Sequence, residues 1–406
     1  MDQFDVIIIG AGIVGATAAC ALADSGATVA LVEARPPETE SAGAARDARV
    51  FAITRASQRI FEALGVWERI VARGAYPFRE MEVWDAGGTG AIRFDCADIG
   101  EPCLGHMIEP RVIHAALLER LRCTSTITLF CPARFGEVTL GDGRVSVSLE
   151  TGDVLTAGLV VAADGARSPV REHLGLPARM HDYRQRGVVA RVATEFPHQA
   201  TARQRFLPGG PLAFLPMEEG WCSIVWTLPS TEASDILALD QDTFHAALGK
   251  AFDFRLGRIV DSGPREAWPL TRMHADHYVA ERIALIGDAA HAIHPLAGQG
   301  VNLGLLDAAA LAEVVAAARS HRRDPGALTV LRRYERWRRG DNLLMMSAMD
   351  GFNLLFGNEA GPLRWLRNFG LSMVNAAGPA KELVMRHAAG LAGDLPALAR
   401  ARVDRL

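Results

Sequence analysis

FDVIIIGAGIVGATAACALADSGATVALVEAR, residues 4–35, decides how the rest of the chain is read. Residues 6–9 are an unbroken Val/Ile run, the composition of a buried strand. An alanine-rich segment to about Asp24 predicts a helix, and residues 28–33 predict a second strand. Gly10, Gly12 and Gly15 between them fit the spacing GxGxxG. The first glycine permits a tight turn, the second lets backbone approach a pyrophosphate, and the third lets helix lie close on strand. Glu33 follows about twenty residues on, where a carboxylate accepts hydrogen bonds from ribose hydroxyls. Residues 6–23 carry no charge over eighteen positions, which by count alone reaches the length of a membrane span. The glycines and the strand–turn–helix pattern assign them instead to a dinucleotide-binding unit.

Two later stretches bear on which dinucleotide. GLVVAADGARSPVR (158–171) sets a buried strand before Asp164-Gly165, and ERIALIGDAAHAIHPLAGQGVNLGLLDAAALAEVV (281–315) sets another before Gly287-Asp288. A simple nicotinamide dehydrogenase needs neither. A chain that returns twice to one nucleotide site suits a longer cofactor, FAD. Gly298, Gln299 and Gly300 stand just before a helix expected from about Val301, with Asn302 beside them. Backbone N–H groups and the positive helix end there suit the pyrimidine edge of an isoalloxazine, which becomes anionic on reduction. Glycine keeps side chains out of the ring's way, and Asp288 is placed to accept from ribityl hydroxyls.

The composition is that of an ordinary globular chain: 406 residues, 49% hydrophobic, 22% charged, a length for two or three domains. Lys+Arg 43 against Asp+Glu 47 gives a net charge of −4 with no long basic block, which argues against nucleic acid as a partner. The six cysteines form no CxxC pair, so zinc-ribbon and thioredoxin-like readings fail and a reducing, cytoplasmic compartment is expected. His274, His277 and Glu281 complete no ligand signature, and no metal is expected. No secretory signal is read at the N-terminus.

Taken together, these motifs resemble the class A flavoprotein aromatic hydroxylases, the group of para-hydroxybenzoate hydroxylase. HPLAGQGVNLG (294–304) with Asp307 is similar to the signature of the ubiquinone-biosynthesis subfamily. DARVFAI (47–53), QRFLPGGPLAFLP (204–216) and YERWRRGDNLLMMSAMDGFNLLF (334–356) agree, so the resemblance covers nearly the whole chain. It implies FAD contacts from Gly12, Val14, Glu33, Arg49, Arg111 and Asp288, with Pro295 and residues 298–301 bordering the flavin ring. The turn from Asp164 to Arg167 is implied to serve both FAD and NAD(P)H. The reaction implied is hydroxylation of a polyprenylated phenol by O2, through a flavin C4a-hydroperoxide, with NAD(P)H as electron donor. The protein's part is binding, orientation and exclusion of water. Other phenolic substrates and a non-catalytic scaffold role stay open. A flavin halogenase is disfavoured, because it needs an early active-site lysine and the first lysine here is Lys250.

The expected architecture is α/β: a Rossmann-like FAD-binding domain of glutathione-reductase type from residues 1–75, 107–180 and 265–340. A mostly antiparallel substrate domain is inserted as residues 76–106 and 181–264, with a helical region at 341–406. Phe214, Leu215, Pro216 and Trp226 stand as walls of the substrate pocket or as plain core. His291 and His294 read as turn and core residues rather than an acid–base pair. Apolar clusters at 343–346, 352–356 and 365–374, with Gly-Pro pairs at 361–362 and 378–379, mark a region that either covers the FAD domain or docks a membrane edge or partner.

Overall fold

In the computed structural model, described over residues 2–36, 47–88, 90–141, 143–292, 300–357 and 378–401, the opening stretch becomes strand Asp2–Ile9, helix Ile13–Asp24 and strand Val29–Val32. The first strand starts earlier than its Val/Ile run because Asp2–Phe4 extend its pairing with residues 155–157 of strand Val154–Ala162. Five parallel strands lie side by side in the order Ile283–Leu285, Val154–Ala162, Asp2–Ile9, Val29–Val32, Ile127–Phe130. Both faces are covered, which is why these strands read as continuous apolar runs rather than alternating ones. Strands Phe135–Gly141 and Arg144–Leu149 form an antiparallel hairpin joined to Val154–Ala162.

Helix Ile13–Asp24 is buried along most of its length by Ala16, Ala18, Ala19, Cys20 and Leu22. Its small residues let helix Gly300–Ser320 approach closely, and that helix offers Ala308, Ala309 and Ala310 to the same core. Helix Gly300–Ser320 is long and apolar enough to cross a membrane, yet 72% of its most apolar window is buried inside the fold. It is a core helix.

The second sheet has nine strands and is antiparallel except where Thr201–Leu207 runs parallel to Glu80–Asp85. Its spine is the 17-residue strand Ala178–Thr194, paired on one side with Trp221–Pro229 and on the other with Glu266–Ala275. Glu266–Ala275, counted from sequence with the FAD segment, is therefore a strand of this second sheet, as is His291–Ala292. Helices Ser230–Ala238 and Gln241–Ala251 cover one face. A three-stranded sheet, Phe51–Thr54, Tyr76–Phe78 and Gly105–Ile108, stands between the two large ones in the chain's path. Toward the C-terminus, helix Leu328–Gly357 runs thirty residues, and Gly378-Pro379 opens helix Gly378–Ala388 instead of breaking one. Residues 361–362 and 365–374, and the side chains of 352–356, lie outside what is described.

Candidate functional site

The three glycines of the first turn meet different surroundings. A Cβ on Gly10 (φ +100°) would fall 2.4 Å from the Ala163 carbonyl oxygen, and one on Gly15 would fall 1.9 Å from that of Gly10. One on Gly12 would meet nothing within 4 Å, and Gly12 is exposed. Helix Ile13–Asp24 begins there with no side-chain cap and no acidic residue in its first turn, so its free N–H groups and positive end are left for a ligand. Glu33 Oε2 accepts from the Ala11 N–H at 2.8 Å, and Oε1 from the Arg35 N–H at 2.9 Å. His114 Nε2 lies 2.8 Å from the Ala11 carbonyl oxygen. Arg111, one turn earlier on the same helix, Pro110–Arg122, donates to the buried Glu109 at 2.6 Å.

The Asp164 and Gly287-Asp288 turns meet this first turn. Asp164 Oδ2 accepts from the Val170 N–H at 3.1 Å, while Oδ1 is buried with no hydrogen-bond partner among the described residues. Burial lifts this carboxyl above its usual range. The buried Arg171 donates to the carbonyls of Ala289 (2.9 Å) and Ala166 (2.8 Å), clamping the two turns together. Gly287 has φ +57°, and Val14 fills the space beside it: a Cβ on Gly287 would sit 3.2 Å from Val14 Cγ1, and one on Gly304 2.6 Å from Cγ2. Val14 thus joins the first helix, the Gly-Asp turn and helix Gly300–Ser320 at one point. Asp288 opens to solvent beside them but is so crowded by protein that its carboxyl is held up, against the pull of His291 and Arg49. Arg49 lies 5.3 Å from the Trp268 ring centroid and 5.6 Å from that of Phe51.

Behind the Gly-Asp turn sits a buried polar cluster that sequence reading missed. Asp307, fully buried, accepts from the Gly287 N–H at 3.1 Å and from His291 Nε2 through one oxygen. The other accepts from Arg338 Nε at 2.9 Å and Asn342 Nδ2 at 3.1 Å. Although desolvation opposes it, the charges and hydrogen bonds of His291, Arg338 and Asn342 hold this carboxyl well below the usual range. A charge in the middle of an apolar helix was the available signal, since a buried carboxylate needs partners. His291 is accordingly a buried, hydrogen-bonded group, with Nδ1 lacking a hydrogen-bond partner among the described residues.

Gly300 and Val301 begin the long core helix, half-buried at its start. The Asn302 side chain faces away from a ligand role: Oδ1 accepts from the Thr54 N–H (3.0 Å) and Nδ2 donates to the Ala52 carbonyl (2.8 Å), leaving only its backbone for FAD. Pro295, Gly298, Gln299 and His294 lie outside the described residues. The pocket-wall expectation is corrected for Phe214 and Trp226. Both lie in the core under helices Ser230–Ala238 and Gln241–Ala251, Phe214 stacking on Phe252 at 3.9 Å. Strand alternation puts Pro216 on Phe214's side and Leu215 on the opposite one, where it joins Val50, Phe78 and Met107. Near that cluster, an apolar cavity of about 110 Å³ is lined by Ala52, Phe78, Met81, Leu104, Met385 and Ala388, among others. Among the described residues no cluster of His, Cys, Asp and Glu could hold a metal.

The site fits FAD: open space at Gly12, uncapped helix N–H groups, a carboxylate oxygen of Asp164 without a partner among the described residues, and Asp288 facing solvent. A nucleotide sheet to which the chain returns twice, with a large antiparallel sheet beside it, is the architecture of an FAD-dependent aromatic monooxygenase. Solved structures share the fold. They include p-nitrophenol 4-monooxygenase PnpA from Pseudomonas putida, with TM-score 0.77 and 20% identity over 97% of this chain and 99% of that one. HpxO from Klebsiella pneumoniae complexed with FAD has TM-score 0.73 and 20% identity, over 96% of this chain and 99% of that one. Residues 3–342 match the FAD binding domain family, and the chain belongs to the ubiquinone-biosynthesis flavin hydroxylases within it. It is 41% identical to ubiquinone hydroxylase UbiL of Rhodospirillum rubrum, over 95% of this chain and 89% of that one. It is 37% identical to 3-demethoxyubiquinol 3-hydroxylase of Escherichia coli, over 95% and 98%. Against the human mitochondrial ubiquinone biosynthesis monooxygenase COQ6 it is 32% identical, over 95% and 92%.

Proposed function

We propose that this enzyme hydroxylates the aromatic ring of a polyprenylated phenol or quinol of ubiquinone biosynthesis, using FAD, O2 and NAD(P)H. The observation that carries this reading is that the first glycine turn meets the Asp164 turn at Gly10, and meets the Gly287 turn and helix Gly300–Ser320 at Val14, in a chain whose relatives are ubiquinone hydroxylases. FAD, when bound, would take two electrons from NAD(P)H and let one oxygen atom of O2 pass to the ring while the other leaves as water. The chain's residues bind and orient. N–H groups at residues 12–15 suit the pyrophosphate, with Gly10 and Gly15 shaping the turn, and Arg111 is placed to pair with its charge. Glu33 accepts from the ribose and Asp288, on the Gly287 turn, from the ribityl chain. Arg49 closes over the cofactor, Asp164 belongs to the part shared with NAD(P)H, and Pro295, Gly298, Gln299, Gly300 and Val301 border the flavin ring. Leu215 and its apolar neighbours keep water from the reacting centre. The enzyme works in the cytoplasm and meets the membrane surface or a biosynthetic complex through its C-terminal helices, a view supported by exposed Leu343, Leu344 and Leu383.

Isotope labelling tests the reaction. With ¹⁸O2 and a prenylated phenol the product gains the heavy atom, and with labelled water it does not. Label from water, or no mass change with any phenol, would leave a flavin dehydrogenase or a scaffold as the better reading.

A further inference from the structure

The apolar cavity beside strand Phe51–Thr54 plays no part in the cofactor site described above. One wall is Ala52 and Thr54, and the opposite wall is Met385 and Ala388 on helix Gly378–Ala388. Thr54, the polar residue of that strand wall, hydrogen-bonds through its Oγ1 with Ser57 and Asn302, so the walls offer hydrocarbon. A carboxylate or phosphate placed there would be desolvated without a partner. At about 110 Å³ the space has room for one small apolar group and not for a whole substrate. An apolar cavity of about 150 Å³ takes a benzene-sized guest, and whole small-molecule sites run to roughly 300 Å³ or more. A branched five-carbon unit is the kind of group it suits.

The cavity's position ties it to the ring site. Asn302, on the first turn of the helix that starts at Gly300, holds both Ala52 and Thr54 of the strand wall. Ala388 is exposed, so the cavity has a way out past the end of its helix. That helix is fastened by Lys381, which does not line the cavity, to Asp98 at 2.8 Å, and just past its end the cavity-lining Ala389 accepts from the Ala56 N–H at 3.4 Å.

We propose that this cavity receives the ring-proximal isoprene unit of the substrate, and that Met385 and Ala388 set the size of the unit admitted. The proposal rests on the reading of the substrate as a prenylated phenol. The remaining tail leaves past Ala388.

The test uses the full-length FAD-loaded enzyme with two phenols of identical ring, one bearing a methyl group and one a single isoprene unit at the tail position. Ala388→Leu fills the rim and should raise the ratio of KM for the prenylated phenol to KM for the methyl phenol by roughly five- to twentyfold, with kcat unchanged. Met385→Ala enlarges the cavity and should improve relative acceptance of a bulkier cyclohexylmethyl phenol. Ala388→Val gives the same reading should the leucine variant not fold. Unchanged KM ratios in both variants, with only melting temperature moved, would mean a packing void and overturn the proposal while leaving ring hydroxylation intact. Failure of the wild-type enzyme to turn over any phenol would overturn the substrate reading and this proposal together.

Discussion

Gly12 and Gly15 are three residues apart, share one motif, and are expected to fail in opposite ways when replaced. Gly12 has ordinary extended-type angles (φ −62°, ψ 179°) and open space where a side chain would go. Gly12→Val should therefore melt like wild type without cofactor but lose FAD, measured by flavin content after purification. Gly15→Ala forces a methyl group against the Gly10 carbonyl and should lower apo-protein stability by about 1–3 kcal/mol, the cost of overpacking. Equal FAD content in Gly12→Val and wild type would remove Gly12 from the pyrophosphate site. Glu33→Ala should weaken FAD binding by about 1–3 kcal/mol, read by titration of flavin fluorescence. At this scale the sequence was most informative where backbone geometry demands one residue type, as at Gly10, Gly15 and Gly287. It was least informative where a side chain's partner comes from far along the chain, as when Asn302 reaches Thr54, or where a strand's two faces are equally apolar, as at Phe214 and Leu215.

Two elements carry their own predictions. Helix Leu328–Gly357 delivers Arg338 to Asp307, and both are buried. Arg338→Met keeps the volume but strips a partner from a buried carboxylate, which should cost about 3–5 kcal/mol in chemical unfolding. A loss below 1 kcal/mol would mean that the remaining donors suffice. Strand Glu266–Ala275 carries the buried His274, whose imidazole is held down to about 4 by desolvation and by Arg339, His291 and Arg272. The unfolded chain takes up this proton near pH 6.5 and the folded chain only near 4, so the unfolded state binds more protons in between. Stability from this group is complete above about pH 6.5 and falls as pH drops toward 4, by an amount on the order of 1–3 kcal/mol. His106, also held to about 4, adds a slope of the same sign. His274→Gln should flatten the drop in urea midpoint between about pH 7 and about pH 5. A slope as steep as wild type would assign it to other groups. Neither element was legible in full: the strand was counted with the wrong sheet because its alternation is the same wherever it pairs.

Across the whole molecule, one helix grips both large sheets. Arg338 holds Asp307 next to the Gly-Asp turn, and twelve positions on, about 18 Å along the axis, Asp350 accepts from Tyr183 Oη at 2.5 Å and pairs with Arg272 of the second sheet. Asp350→Ala should loosen the second sheet against the FAD site without touching cofactor contacts. The expected result is unchanged FAD content with more peroxide released per NAD(P)H oxidised, measured by paired oxygen and peroxide assays, because looser closure admits water. An unchanged peroxide yield would deny the helix that role. Sequence reading reached only half of this arrangement: the region was expected either to cover the FAD domain or to dock a membrane edge or partner, and its hold on Tyr183 and Arg272 joins residues far apart in the chain.

Helix Gly300–Ser320 has a membrane-length apolar sequence and lies in the fold's interior against helix Ile13–Asp24. During synthesis it leaves the ribosome after the segments that form the strands and helix receiving it. The residues of the docking surface thus emerge before the segment most open to mistaken membrane insertion or clumping. Nascent chains halted before this helix would instead display the bare alanine face of helix Ile13–Asp24, making them natural clients for chaperones and quality-control proteases.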